Sequence, residues 1–346
     1  MEETVPTRDG ARSPRSFRAR VVALVLAIVV LTGLGASLGW AKTRPAPVGT
    51  GVVVIETALT DGKGAGTGMV LTSSGEVLTN NHVIRGGNTI RIVLPGTARS
   101  YSAKVLGYSV TKDVALLKAN GASNLKTVSL GNSSTVQVGQ SVTATGNAGG
   151  TGSLTSSSGN VTALAQAITV GDESGNQRLT GLIRASSALQ PGDSGGPLFN
   201  AARKVVGMNT AASVGYAFRG TRGGNGYAIP INAAIVVAKQ IRAGKGSVTV
   251  HVGPTPFLGI SVASDGATGG SGALIAGVLP GGAAAGAGLT AGDVITAIDG
   301  RAVTSSSTLR SALLLQKPGA RVSVTYVDGT GATASTTVTL GSGPPQ

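Results

Sequence analysis

Between Gly51 and Ala228 the chain never sustains a helical period; short apolar or alternating runs are cut by Gly, Asn, Asp and Ser. Val52–Ile55, Gly68–Leu71, Thr89–Leu94, Val114–Leu117, Ser141–Thr145, Val205–Met208 and Tyr227–Ile229 have strand length and little more. Many short strands between turns must bury one face by closing or stacking, so this stretch predicts a mainly β fold of barrels or a sandwich. The 55 glycines follow no Gly-X-Y period, and a 41% hydrophobic content is too high for a disordered chain. With no cysteine there is no disulfide and no thiolate nucleophile. Two histidines and fourteen acids leave little from which to build a metal cluster, so neither metal nor cofactor is expected.

The ends of the chain read differently. Val21 to Trp40 holds no charged residue and follows Arg8, Arg12, Arg15, Arg18 and Arg20. Such a run spans a bilayer as a helix, and its basic flank stays inside. Residues 1–20 are therefore expected as a cytoplasmic basic tail and 21–40 as one N-terminal transmembrane helix. The alternative is a signal segment cut near Gly39-Trp40-Ala41, which leaves the protein secreted. Residues 41–50 read as a linker, and everything beyond lies outside the cytoplasm. The net charge of +14 is scattered, with no basic stripe interleaved with aromatics, so no nucleic-acid partner is expected.

After Pro230 a helix is expected, with Asn232 as N-cap and Ile235, Val236, Ala238 and Ile241 on one face. A first unit, 51–243, then ends in a linker, 244–256, containing Pro254 and Pro256. Residues 257–340 mix strands (Leu258–Val262, Ala273–Val278, Val294–Ile298, Arg321–Val327, Thr336–Leu340) with a helix over Ser306–Gln316, giving an α+β domain. The tail 341–346 is expected to fray.

The chemistry begins at Gly192-Asp193-Ser194-Gly195-Gly196. Glycines on both sides of a serine permit a sharp turn that aims backbone N–H groups at a developing oxyanion. A serine hydroxyl needs a base, and the only imidazoles are His82 and His251. An order of Ser, acid, His fails because no Asp or Glu separates Ser194 from His251. His82 remains, and the order becomes His, Asp, Ser. Asp113 opens the apolar run Asp113-Val114-Ala115-Leu116-Leu117, where a carboxylate can be held rigidly against an imidazole. Asp172 and Glu173 sit in a polar turn instead.

Thr79-Asn80-Asn81-His82-Val83-Ile84, Asp113–Leu117 and Gly192–Leu198 resemble the three catalytic segments of the HtrA (DegP-like) serine proteases. Gly64–Val70, Val205–Thr210 and Gly226–Pro230 resemble further strands of that family, and the ordered chain is similar to actinobacterial PepA-like members with one PDZ domain. The resemblance implies a chymotrypsin-like pair of six-stranded β-barrels with catalytic His82, Asp113 and Ser194 in the cleft between them. It also implies an oxyanion hole from the N–H groups of Gly192 and Ser194. The substrate pocket would lie near Ala188, Thr210, Ala211, Ala212 and Gly226; with no acid there, a small or medium apolar residue is expected at the cleaved position. Asp193 would stabilise the active-site loop.

The last domain resembles a PDZ domain: Phe257-Leu258-Gly259-Ile260 is similar to its carboxylate-binding loop, and Ala287–Ile295 with Asp299-Gly300 to its middle. Leu258, Gly259 and Ile260 would then cap the carboxylate of a C-terminal peptide that joins a sheet edge. The resemblance implies an extracytoplasmic serine endopeptidase acting on unfolded or damaged polypeptides. The alternative is a non-catalytic chaperone or peptide-binding scaffold on the same fold. HtrA proteins are often trimers joined by early aromatic residues; residues 45–64 have no Phe, Tyr or Trp, which leaves a homo-oligomer open without that contact.

Overall fold

A computed structural model of the chain describes Met1 and residues 49–172, 175–210, 217–218, 225–263 and 272–346. The apolar segment 21–40 and its flanks lie outside the described residues. Among the described residues, no helix is long and apolar enough to cross a membrane. The first barrel comprises β1 (Val52–Leu59), β2 (Gly62–Val70), β3 (Glu76–Thr79), β4 (Thr89–Val93), β5 (Ser100–Ser109) and β6 (Val114–Ala119). They pair in the order β5-β4-β1-β2-β3-β6, and a β5–β6 pairing closes the ring. Alternation does the sorting: in β4, Ile90 and Ile92 point inward while Thr89 and Arg91 face solvent. A single helical turn, α1 (Asn81–Ile84), interrupts the barrel between β3 and β4.

The second barrel comprises β7 (Ser141–Gly146), β8 (Thr155–Asp172), β9 (Gly175–Ala185), β10 (Pro197–Asn200), β11 (Val205–Asn209) and β13 (Gly226–Pro230), with the short β12 (Ala217–Phe218) on β8. Its order is β8-β7-β10-β11-β13-β9, closed by β8–β9. The β8–β9 hairpin outgrows the barrel, and its register shifts between Val161 and Ala163, Ala163 and Gln166, and Gln166 and Ile168. Such bulges increase local twist and let a long ribbon bend. One continuous core serves both barrels, joining Val52, Met69, Leu78 and Leu116 of the first to Phe199, Val205, Met208 and Ile229 of the second.

Helix α2 (Ile231–Arg242) leaves the second barrel and packs back, burying Ile231, Ala234, Val237, Ala238 and Ile241 at helical spacing. Its N-cap is Pro230, two residues earlier than the expected Asn232. Proline's fixed φ starts the helix, and the Asn232 amide donates instead to Asn132 Oδ1 at 2.7 Å. Arg242 Nη2 reaches Glu76 Oε2 of β3 at 2.5 Å, which ties the helix to the first barrel.

The expected linker is largely structured. β14 (His251–Val252) adds to β5, with His251 opposite Tyr108. β15 (Thr255–Phe257) then pairs with β22 (Gly341–Gly343). Between them stands a sheet ordered β16 (Ile260–Val262), β17 (Ala273–Val278), β18 (Val294–Ile298), β20 (Arg321–Val327), β21 (Thr333–Thr339), with β19 (Arg301–Ala302) on β18. Helices α3 (Ala283–Gly286) and α4 (Ser306–Leu314) complete this domain around its own core of Leu258, Ile275, Leu289, Ile295, Leu309, Val322 and Val338. A Ser305–Thr308 capping box starts α4. The expected strand from Leu258 begins only at Ile260, because Leu258 turns into the core and Gly259 takes φ 80°. The tail does not fray: main-chain bonding along β22, and beyond it to the first barrel, anchors a segment without an apolar pattern.

Candidate active site

Asp113 sits in the turn before β6 with φ 51°, a left-handed conformation that Asp tolerates. Its N–H donates to Val110 O at 3.1 Å, and its carbonyl accepts from Asn80 Nδ2 at 2.9 Å. The amide of Gln177, on the long hairpin, also donates to Val110 O, so the second barrel braces this turn. The carboxylate collects three donors: the His82 backbone N–H at 3.0 Å on Oδ1, and His82 Nδ1–H at 2.9 Å with the Thr210 hydroxyl at 3.1 Å on Oδ2. An ionised carboxylate offers no proton, so Nδ1 carries the imidazole hydrogen and Nε2 is the basic nitrogen. The His82 and Asp113 side chains are 4% and 6% exposed, which holds the pair largely out of water.

The serine loop is built by close approach. Gly192 has φ 97°, and a Cβ there would stand 2.1 Å from Asn147 O, so only glycine fits. Thr67 of β2 grips the loop twice: its hydroxyl donates to Gly192 O at 2.7 Å, and its N–H to Ser194 O at 2.8 Å. Asn209, at the end of β11, closes the other side, exchanging main-chain bonds with Gly195 and Gly196. The neighbouring Gly66 touches both halves of the site. A Cβ there would lie 2.6 Å from Val83, next to His82, and 3.3 Å from Ser194 O. Ser194 is buried at this junction. Asp193 accepts the Gln190 N–H at 2.8 Å, in keeping with a loop-stabilising role, and burial pushes its carboxyl above the usual range.

Thr210, expected near the pocket, donates its hydroxyl to Asp113 Oδ2 at 3.1 Å. Ala188 is exposed and donates its N–H to Ser157 Oγ at 3.0 Å. Gly226 is buried against Leu189, whose Cγ would be 2.6 Å from a Cβ at that position. Leu189 was not singled out from sequence, and neither were Thr67, Asn80 and Asn147; their residue types carry no distinctive chemistry. Ala211 and Ala212 lie outside the described residues. His251 is buried in β14 with its ring nitrogens 3.0 Å from the carbonyls of Leu314 and Pro254, apart from this site. Among the described residues no three His, Cys, Asp or Glu side chains group to hold a metal.

In the second domain, the carbonyls of Leu258 and Gly259 accept from Ala284 and Leu279, each at 2.9 Å, which fixes the loop. Ile260 starts β16, which among the described residues stands at the edge of its sheet, the arrangement that β-augmentation requires.

Residues 66–208 match the trypsin-like peptidase domain and residues 256–339 the PDZ domain. The chain is 36% identical over 305 residues to the serine protease PepD of Mycobacterium tuberculosis, covering 84% of this chain and 63% of that protein. It is 34% identical over 270 residues to the periplasmic pH-dependent serine endoprotease DegQ of Escherichia coli, covering 75% and 56%. The chain therefore spans less than two thirds of the length of either relative. Among solved structures, the HtrA-type protease AlgW with tripeptide aligns at 28% identity and TM-score 0.49, covering 86% of this chain and 95% of that one.

Proposed function

Because the chain carries a trypsin-like peptidase domain followed by a C-terminal PDZ domain and is homologous to the HtrA, DegP and PepD serine proteases, we propose that it is an extracytoplasmic serine endopeptidase. Its substrates are unfolded or damaged polypeptides, and its PDZ domain binds C-terminal peptides through Leu258, Gly259 and Ile260. Residues 21–40 anchor it in the cell membrane or serve as its export signal. The observation that carries the reading is the Asp113 carboxylate holding His82 by both its main chain and Nδ1, at 3.0 and 2.9 Å.

His82 Nε2 takes the proton from Ser194 Oγ as that oxygen attacks the scissile carbonyl carbon. The carbonyl electron pair moves onto oxygen, and the N–H groups of Gly192 and Ser194 stabilise the anion. Collapse expels the amine, which takes the proton from His82, and leaves an acyl group on Ser194. Water, deprotonated by the same imidazole, then releases the acid and restores the serine. Asp113 stabilises the imidazolium at each step without taking its proton. Ala188, Leu189 and Gly226 would line a pocket for a small apolar side chain.

Ser194→Ala compared with the unaltered chain on casein tests this. The variant should lose nearly all cleavage, retaining only the roughly 10³–10⁴-fold advantage over water that binding and the oxyanion hole supply. Equal cleavage by both would eliminate serine catalysis. No cleavage by either, with retained peptide binding, would favour the scaffold.

A further inference from the structure

We propose that Pro344–Gln346 is a positioning clasp for His82, acting through the helical turn that carries it; this rests on the serine-protease reading above. β22 ends at Gly343 on the PDZ side, paired with Thr255. The next three residues cross to the first barrel and hold both ends of α1. Pro345 O accepts the Gly86 N–H at 2.8 Å, just past the helix. The Gln346 main-chain oxygen accepts from Asn81 Nδ2 at 2.9 Å, one residue before His82. The Gln346 N–H donates to the Tyr108 hydroxyl at 3.3 Å, and that hydroxyl also meets Thr255 Oγ1 at 3.1 Å. Pro345 itself is buried.

A four-residue helix has almost no stability of its own, because nucleation fixes several dihedrals for a single bond. Within α1 that bond is Arg85 N–H to Asn81 O, at 3.0 Å. Its position must come from outside contacts. Thr57 supplies one, its hydroxyl donating to Val83 O at 2.8 Å. Asp113 fixes His82 from one side. The clasp adds a contact at each end of α1, at Asn81 and Gly86, beside the packing of Val83 and Ile84 into the first barrel's core. Two consecutive prolines restrict the segment before docking and reduce the entropy lost on ordering it. The grip uses main-chain groups of the clasp, so a Gly- and Pro-rich sequence suffices.

The test compares the full chain with one ending at Gly343, which keeps β22 and removes only the clasp. The readouts are the rate of labelling by a fluorophosphonate probe, kcat and KM on an apolar peptide, and Tm. Loss of positioning should lower labelling and kcat about tenfold while KM stays within about twofold. Replacing residues 344–346 by three alanines keeps the main-chain groups and should restore most of kcat. A shortened chain with full labelling and kcat, or with only a lower Tm, overturns the clasp. A full chain that is never labelled overturns the protease reading instead. Should the shortened chain fail to fold, Asn81→Ser in the full chain removes the amide donor without adding charge. It should lower kcat about threefold at constant KM, and an unchanged kcat would overturn the clasp.

Discussion

Removing the Thr210 hydroxyl isolates the contribution of the second barrel to the acid of the first. Thr210 is 3% exposed, its hydroxyl donates to Asp113 Oδ2 at 3.1 Å, and its N–H is independently held by Tyr227 O at 2.9 Å. Thr210→Val keeps the shape and the main-chain bond and deletes only the donor. A hydrogen bond to a charged group contributes about 1.5–3 kcal/mol. If the whole loss falls on the transition state, where the imidazolium depends on a fixed carboxylate, kcat/KM drops roughly 10- to 150-fold at 1.36 kcal/mol per decade. Thr210→Ser retains the hydroxyl and should stay within about threefold of the unaltered chain. Initial rates on an apolar peptide give kcat/KM, and urea unfolding shows whether the barrels stay intact. A cycle with Asp113→Asn should reveal non-additivity, since the two side chains share one bond. A Thr210→Val enzyme within about twofold of the unaltered chain, and additive with Asp113→Asn, would refute the argument.

Two further outcomes follow from the loop and the pocket. Burial raises the Asp193 carboxyl, so the folded chain binds that proton more tightly than the unfolded chain. The stability contributed there is full below the ordinary carboxylate range and declines as pH rises through the raised value. Asp193→Asn should therefore lose less stability than the unaltered chain as pH rises above the ordinary carboxylate range in urea unfolding, and parallel profiles would contradict this. Leu189 packs against Gly226, which would make the proposed pocket apolar. A peptide library should be cut after Val, Ala or Leu, since a desolvated Lys or Arg lacks a partner there; a profile led by Lys or Arg would remove the assignment.

What the sequence made legible follows chemical necessity. A serine catalyst needs an imidazole and an acid, and with two histidines the order of His82, Asp113 and Ser194 left little freedom. The short strands around them were readable as brief apolar runs between turn residues, and they are buried along nearly their whole length. The supporting contacts were not. Thr210 is one hydroxyl in a chain rich in hydroxyls, and nothing in its spacing separates a pocket wall from a bond to Asp113. The β8–β9 hairpin carries Ser156, Ser157 and Ser158 where a strand reading seeks apolar residues. Asn232 was the better cap by side chain, yet Pro230 started the helix through its backbone. The linker and tail were misjudged for one reason: Gly and Pro contribute no apolar pattern, while the main chain through His251–Phe257 and Gly341–Gln346 makes the contacts.

The proposed nucleophile and its base belong to different closed sheets, and the acid is finished by a hydroxyl from across the cleft. A half-assembled molecule thus holds either an idle imidazole or an idle serine. If its substrates are unfolded polypeptides, as proposed above, this matters most at the molecule's own birth. Newly made copies emerge among siblings that are still open chains, the material the proposed activity would act on. Splitting the proposed reagents between two units would delay that activity until each molecule is complete.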